Sequence, residues 1–150
     1  MSFLRAVKTG ATTRVNNTIS ADPDLVLSAV PAGSYQLFGQ LYYTTDTTPD
    51  FRGSILVSQA LSTADSWYSL MRMSSGVAAP IVIAARAVTQ TTASATDFGT
   101  STTNDNIVLL WGTLVIPSAT DVSFQWAQVT TTGGTNTILK AGSAIALLSV

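Results

Sequence analysis

Val122-Ser-Phe-Gln-Trp-Ala-Gln128 and, after a Thr/Gly-rich stretch, Thr137-Ile-Leu-Lys-Ala-Gly-Ser-Ala-Ile-Ala-Leu-Leu-Ser-Val150 are the segments that decide the fold class of this chain. The first alternates. Val122, Phe124 and Trp126 fall on one face and Ser123 and Gln125 on the other, the period of a strand with one buried side. In the second, Gly142-Ser143 breaks an apolar run that then continues to Val150. Chain ends fray unless a sheet holds them, so an apolar strand reaching the last residue predicts a β-domain closed by its C-terminal segment. Phe124, Trp126, Ile145 and Leu147 are the residues expected to close that core.

The composition around these segments points the same way. With 150 residues the chain is long enough for one domain with a real core. Forty residues are Ser or Thr, and the eight acidic residues are all Asp. Helices draw on Glu, Lys, Leu and Ala, whereas Thr, Val, Tyr and Trp suit a pleated surface, so the expectation is all-β. Seven basic residues against eight acidic ones give a net charge of −1. That argues against nucleic acid as a partner, because such binding needs clustered Lys and Arg. The longest apolar stretch, residues 76–85, is broken by Pro80 and falls short of the roughly 20 residues that span a bilayer, so no membrane partner is expected. Met1-Ser-Phe-Leu-Arg-Ala-Val-Lys8 lacks the charged-then-apolar order of a secretory signal, and the expectation is synthesis in a cytoplasm. The chain has no Cys and so no disulfide framework. A surface so poor in charge is a weak recipe for a dispersed monomer and predicts coverage by partners.

Residues 1–20 stand apart. They hold Arg5, Lys8 and Arg14, three of the seven basic residues, among Thr, Asn and Gly with little periodicity. They read as an extended N-terminal arm before a β-domain over 21–150, with Asp22-Pro-Asp24 as the turn between them. In the next strand Tyr35, Leu37, Gly39, Leu41 and Tyr43 share a face, while Phe38 and Tyr42 interrupt the polar one. Gly39 in mid-strand predicts the close approach of a bulky neighbour. Phe51, Gly53, Ile55 and Val57 alternate with Arg52, Ser54 and Ser58, and Trp67, Ser69, Met71 and Met73 stand opposite Tyr68, Leu70 and Arg72. Residues 80–88 read as a strand and 90–106 as a long Thr/Ser-rich surface loop. Residues 107–116 are apolar on both faces, as a strand between two layers would be. About eight short antiparallel strands, with turn signals and no helix, fit a single jelly-roll β-sandwich.

No catalytic inventory accompanies this fold. Without His or Cys, nucleophile–base arrangements built on them are impossible, and the chain reads as a non-enzyme with no cofactor. Asp22/Asp24 and Asp46/Asp50 are the close acidic pairs, and each sits beside Pro, where Asp commonly serves a turn. Zinc lacks its preferred ligands, and no calcium-loop spacing is present. Gly133-Gly134 lacks the Gly-Lys-Ser/Thr of a phosphate-binding loop and reads as a hairpin turn. Trp67, Tyr68, Trp111 and Trp126 fit core positions better than a sugar-binding strip, with Tyr42 and Tyr68 the aromatics expected at the surface.

Phe124-Gln-Trp-Ala-Gln128, then a Thr/Gly-rich turn, then Thr137-Ile-Leu-Lys-Ala-Gly-Ser143 and a terminal strand resemble a C-terminal pattern of tailed-phage virion proteins. Asp24-Leu25, Gly33-Ser-Tyr35, Pro49-Asp-Phe51 and Gly112-Thr-Leu-Val-Ile116 follow the same family's order, so the resemblance covers roughly residues 22–150. Ala144 and Ala146 depart from it, standing where bulkier or charged residues are common. The family is that of capsid decoration (cement) proteins, jelly-roll or tumour-necrosis-factor-like domains. The resemblance implies a homotrimer on the outer capsid surface of a virion, bound to major capsid protein and to neighbouring decoration subunits, that resists internal DNA pressure through many summed contacts. It also implies an N-terminal arm that reaches a neighbour, with Phe3, Leu4 and Val7 inserting and Arg5, Lys8 and Arg14 meeting acidic patches. The competing expectation is a tail-fibre or receptor-binding jelly roll whose exposed Tyr and Trp bind host glycan.

Overall fold

The computed structural model describes residues 2–45, 50–61, 65–74, 81–87, 95–98, 105–131 and 136–150. The segments that alternate in sequence are the strands: β1 (Phe3–Val7), β2 (Thr12–Arg14), β3 (Ser20–Val30), β4 (Gly33–Thr44), β5 (Phe51–Val57) and β6 (Trp67–Ser74). They continue with β7 (Ile81–Ala87), β8 (Thr96–Phe98), β9 (Asn106–Ile116), β10 (Thr120–Gln128), β11 (Thr137–Leu139) and β12 (Ala144–Ser149). A larger sheet runs β1-β12-β4-β9-β6-β7, with β11 and β2 attached beside β4, and a smaller sheet runs β3-β10-β5-β8.

The pairing is nested. β1 pairs with β12, β3 with β10, β4 with β9 and β5 with β8, all antiparallel. The first half of the chain therefore pairs with the second half in reverse order, and the pairs alternate between the sheets. That is the winding of an eight-stranded jelly roll. The β6–β7 hairpin is an insertion between β5 and β8. It pairs through β6 with the edge of β9 that the basic winding leaves open, and so widens one sheet.

Between the sheets lies the core. Leu37 and Leu41 of β4, Leu110 and Leu114 of β9, and Ile145 and Leu147 of β12 face Leu25, Ile55, Val122, Phe124 and Trp126 across the gap, all buried. Phe51 joins the layers, stacked on Tyr43 at 4.3 Å and within 5.6 Å of the Trp126 ring and 6.2 Å of Phe124. Gly39 is tight as expected: a Cβ there would lie 2.9 Å from Leu110 Cδ2.

Several expectations change. Residues 1–20 are extended but are not a free arm, and residue 20 is not a domain boundary. β1 is hydrogen-bonded to β12 over five residue pairs, and β2 is paired with β11. Asp22-Pro-Asp24 lies inside β3 rather than in a turn, because the Asp22 carboxylate is drawn inward by buried partners described below. The two closing segments do not pair with each other, since β10 belongs to the smaller sheet and β12 lies between β1 and β4 in the larger. Val150 is 70% exposed, though its N–H still reaches Ser34 O at 3.1 Å. A short strand, β8, stands within the stretch expected as a loop. Gly133-Gly134, Asp46 and the Pro80 region lie outside the described residues.

Gly112 gives a sharp test of the β6–β9 register. A Cβ on it would fall 2.2 Å from the Trp67 carbonyl oxygen and 2.7 Å from Tyr68 Cα, both backbone atoms that cannot swing aside. Gly112→Ala is expected to destabilise the fold by about 3 kcal/mol, read as a lowered urea midpoint. Gly10, with nothing within 4 Å, is the control: Gly10→Ala should change little. Equal midpoints for the two variants would disprove the close approach of β6.

Candidate interaction face

The outward side of the larger sheet carries the feature most unlike an ordinary surface. Strand register builds it row by row. Phe3 of β1 stands opposite Leu148 of β12, which stands opposite Gln36 of β4; Arg5, Ala146 and Phe38 form the next row, and Val7, Ala144 and Gln40 the third. Across β9 the rows continue as Gln36–Thr113–Trp67, Phe38–Trp111–Ser69, Gln40–Leu109–Met71 and Tyr42–Ile107–Met73. Phe3 is 62% exposed, Phe38 45%, Trp67 39%, and Val7 and Met73 37% each. Leu109, Trp111, Met71, Ala144, Ala146 and Leu148 are half-buried.

Taking the usual strand spacing and rise, five strands by seven residues cover a footprint of about 500 Å². Apolar side chains occupy most of this footprint, interrupted by Arg5, Gln36, Gln40, Ser69 and Thr113, and exposed apolar clusters of this kind mark interaction sites more often than inert surface. Relief within the face comes from side-chain size. Phe38 and Trp111 form a ridge, and beside it the small Ala144 and Ala146 leave a groove of about 400 Å³ whose wall includes Leu109 and Gln40. Arg5 is the single charged side chain in these rows.

β9 shows why the sequence pattern misled. Its inward residues Val108, Leu110, Leu114 and Ile116 are buried, but Ile107, Leu109, Trp111 and Val115 on the other side are only half covered. The second layer expected over this strand is not supplied by the described residues. Of the aromatics expected at the surface, Tyr68 is fully buried and Tyr42 half-buried, while Phe3, Phe38 and Trp67 are the exposed rings among the described residues, Trp67 against its expected place in the core. The exceptions to alternation, Phe38 and the two-faced 107–116 run, were the sequence signal for the face.

The expected arm residues divide by strand alternation. Phe3, Arg5 and Val7 point outward onto the face, and Leu4 packs against the core. Lys8 and Arg14 are not available to meet a partner's acidic patches. Lys8 is 1% exposed, and its Nζ donates to both carboxylate oxygens of Asp22 at 2.9 Å and to Thr12 Oγ1 at 2.6 Å, with Asp24 Oδ2 at 3.4 Å. Asp22 also accepts from Trp126 Nε1 at 3.0 Å and from the Asp24 backbone N–H at 3.1 Å. Arg14 lies over the Trp126 ring, 4.3 Å from its centroid, and donates to the carbonyls of Trp126, Ser20 and Ala21. Burial lowers the Arg14 pKa from its ordinary value, with Asp22 opposing. The expected core residues Phe124, Trp126, Ile145 and Leu147 are all fully buried.

No family model matches this chain, and no curated protein matches it. Among solved structures it is similar to the Eiger TNF of S. frugiperda, with a TM-score of 0.45 and 11% identity over 99% of this chain and 92% of that one.

The Lys8 cluster makes a contrast between β1 and the residue that follows it. Lys8→Met leaves the Asp22 carboxylate buried without its cation and is expected to cost about 3–5 kcal/mol. Arg5→Met, three residues away on the exposed side, should stay within about 0.5 kcal/mol. Chemical denaturation of both variants checks this, and equal losses would contradict the buried position of Lys8.

Proposed function

We propose that this chain is a structural virion protein that binds the outer surface of a phage capsid as a homotrimer and stabilises the shell against internal DNA pressure. Its partners are major capsid protein and neighbouring decoration subunits. The observation that carries the reading is the apolar outward face of the larger sheet. Other copies of the same chain are its best occupant, for two reasons. With Arg5 as its one charge, the face meets a copy of itself without the like-charge repulsion that suppresses wrong pairings. It also offers both a ridge, Phe38 and Trp111, and a groove over Ala144 and Ala146, so each copy can seat its ridge on the next; such head-to-tail contacts close into a ring when the rotation allows.

The capsid role rests on the resemblance of the C-terminal segments to decoration proteins and on a surface poor in charge. With β1 held in the sheet, attachment to the capsid is assigned to folded surfaces summed over three copies rather than to free arms.

The test has two parts. Native mass measurement should give three times the 15.6 kDa chain mass, and Trp111→Asp, which places a charge in the centre of the face, should give a folded monomer. Purified heads of the parent phage should carry the chain in many copies. A wild-type monomer, a trimeric Trp111→Asp variant, or a chain found only with tails in few copies would each overturn its part of the reading.

A further inference from the structure

The corner where β1 ends beside β3 holds an ammonium and a carboxylate in contact, with both side chains shielded from solvent. Lys8 Nζ is 2.9 Å from each oxygen of Asp22, so it stands directly before the carboxyl carbon, Cγ. Thr12 Oγ1, at 2.6 Å, holds the nitrogen in that place. A second carboxylate reaches the same nitrogen, with Asp24 Oδ2 at 3.4 Å. The other contacts of the Asp22 carboxylate are donors: Trp126 Nε1 to Oδ2 at 3.0 Å and the Asp24 backbone N–H to Oδ1 at 3.1 Å. A nitrogen nucleophile, a carboxyl carbon, a carboxylate able to carry protons and an N–H aimed at one carboxyl oxygen are thus assembled in one place, the parts that acyl transfer to an amine requires.

We propose that Lys8 and Asp22 condense into an intramolecular isopeptide bond, Nζ to Cγ, with Asp24 as the proton carrier and Trp126 Nε1–H as the oxyanion donor. A site shut off from water penalises both charges, which favours passing one proton from Nζ to Oδ1 and leaves an amine facing a carboxylic acid. The amine lone pair attacks Cγ as the bond from Cγ to Oδ2 opens, and the charge that gathers on Oδ2 is met by Trp126. Asp24 takes a proton from Nζ and returns it to the Oδ1 hydroxyl, which leaves as water. One ammonium and one carboxylate give one amide and one water. Nothing is oxidised or reduced, and Asp24 ends as it began. Holding the two groups in contact supplies the effective concentration that an intermolecular condensation lacks. The Asp24 side chain is 35% exposed, which gives the released water a way out. The bond ties the end of β1 to β3, the end strands of their two sheets, where an edge strand would otherwise peel first. It concerns the chain's own fold and stands apart from the capsid reading.

The experiment uses the whole chain, folded, incubated and then measured by mass spectrometry under denaturing conditions. Its mass should fall short of the sequence mass by one water. Trypsin should spare Lys8 and release residues 6–14 attached to residues 15–52 as one branched peptide, which separates this bond from a dehydrated aspartate elsewhere in the chain. Asp24→Asn should keep the full mass, let trypsin cut after Lys8, and melt about 6–12 °C below the linked chain, the loss expected for a cross-link that closes a short loop. If Asp24→Asn does not fold, the mass and the branched peptide of the unsubstituted chain decide. A full sequence mass after prolonged incubation, a mass deficit without the branched peptide, or an Asp24→Asn chain linked as fully as the unsubstituted one would each overturn the proposal.

Discussion

The Asp22 carboxylate is the point on which the two halves of this sandwich depend. It receives Lys8 from the end of β1 in the larger sheet, Trp126 from β10 in the smaller sheet, and a backbone N–H of its own strand. Three elements distant in sequence are thereby joined at the edge where β1 passes β3. A fully buried carboxylate is tolerable only because each of its oxygens is engaged by a cation or a donor. Arg14 stacked on Trp126 covers the same corner from outside.

This corner also settles what the N-terminal segment is for. Its basic residues look like a mobile, partner-seeking arm when the sequence is read by charge. In the folded chain two of them are internal fasteners. Lys8 is additionally held by its backbone, its N–H reaching Ser143 O at 2.8 Å and its carbonyl accepting from Gly142 N–H at 2.9 Å. Ser149 N–H donates to Ser2 O, so both chain ends are tied to each other. The basic winding and the apolar face then follow together. Pairing β1 with β12 places Phe3 and Val7 beside Leu148 and Ala144, and the inserted β6–β7 hairpin extends the same surface by Trp67, Met71 and Met73.

Much of the architecture was legible because β-alternation is a local property. The inward rows of β4, β5 and β10, the tight Gly39, and the burial of Phe124, Trp126, Ile145 and Leu147 could all be read from period two and side-chain size. The interaction face was half legible. Phe38 and the two-faced 107–116 run were visible as departures from alternation, but a strand apolar on both sides reads identically whether its second cover is the same chain or another. Tyr68 was misplaced because β6 offers aromatics on both faces, and alternation alone does not say which side turns inward.

By itself the sequence determined an all-β sandwich, the inward rows of β4, β5 and β10, and the lack of His and Cys chemistry, since all three follow from residue type and local period. Only the tertiary structure decided the nested pairing, the burial of Lys8 against Asp22, and which apolar rows remain open. Those depend on contacts between residues 14 to more than 100 positions apart, such as Lys8 with Asp22 and Asp22 with Trp126, and no local pattern encodes which distant charge or ring will meet them.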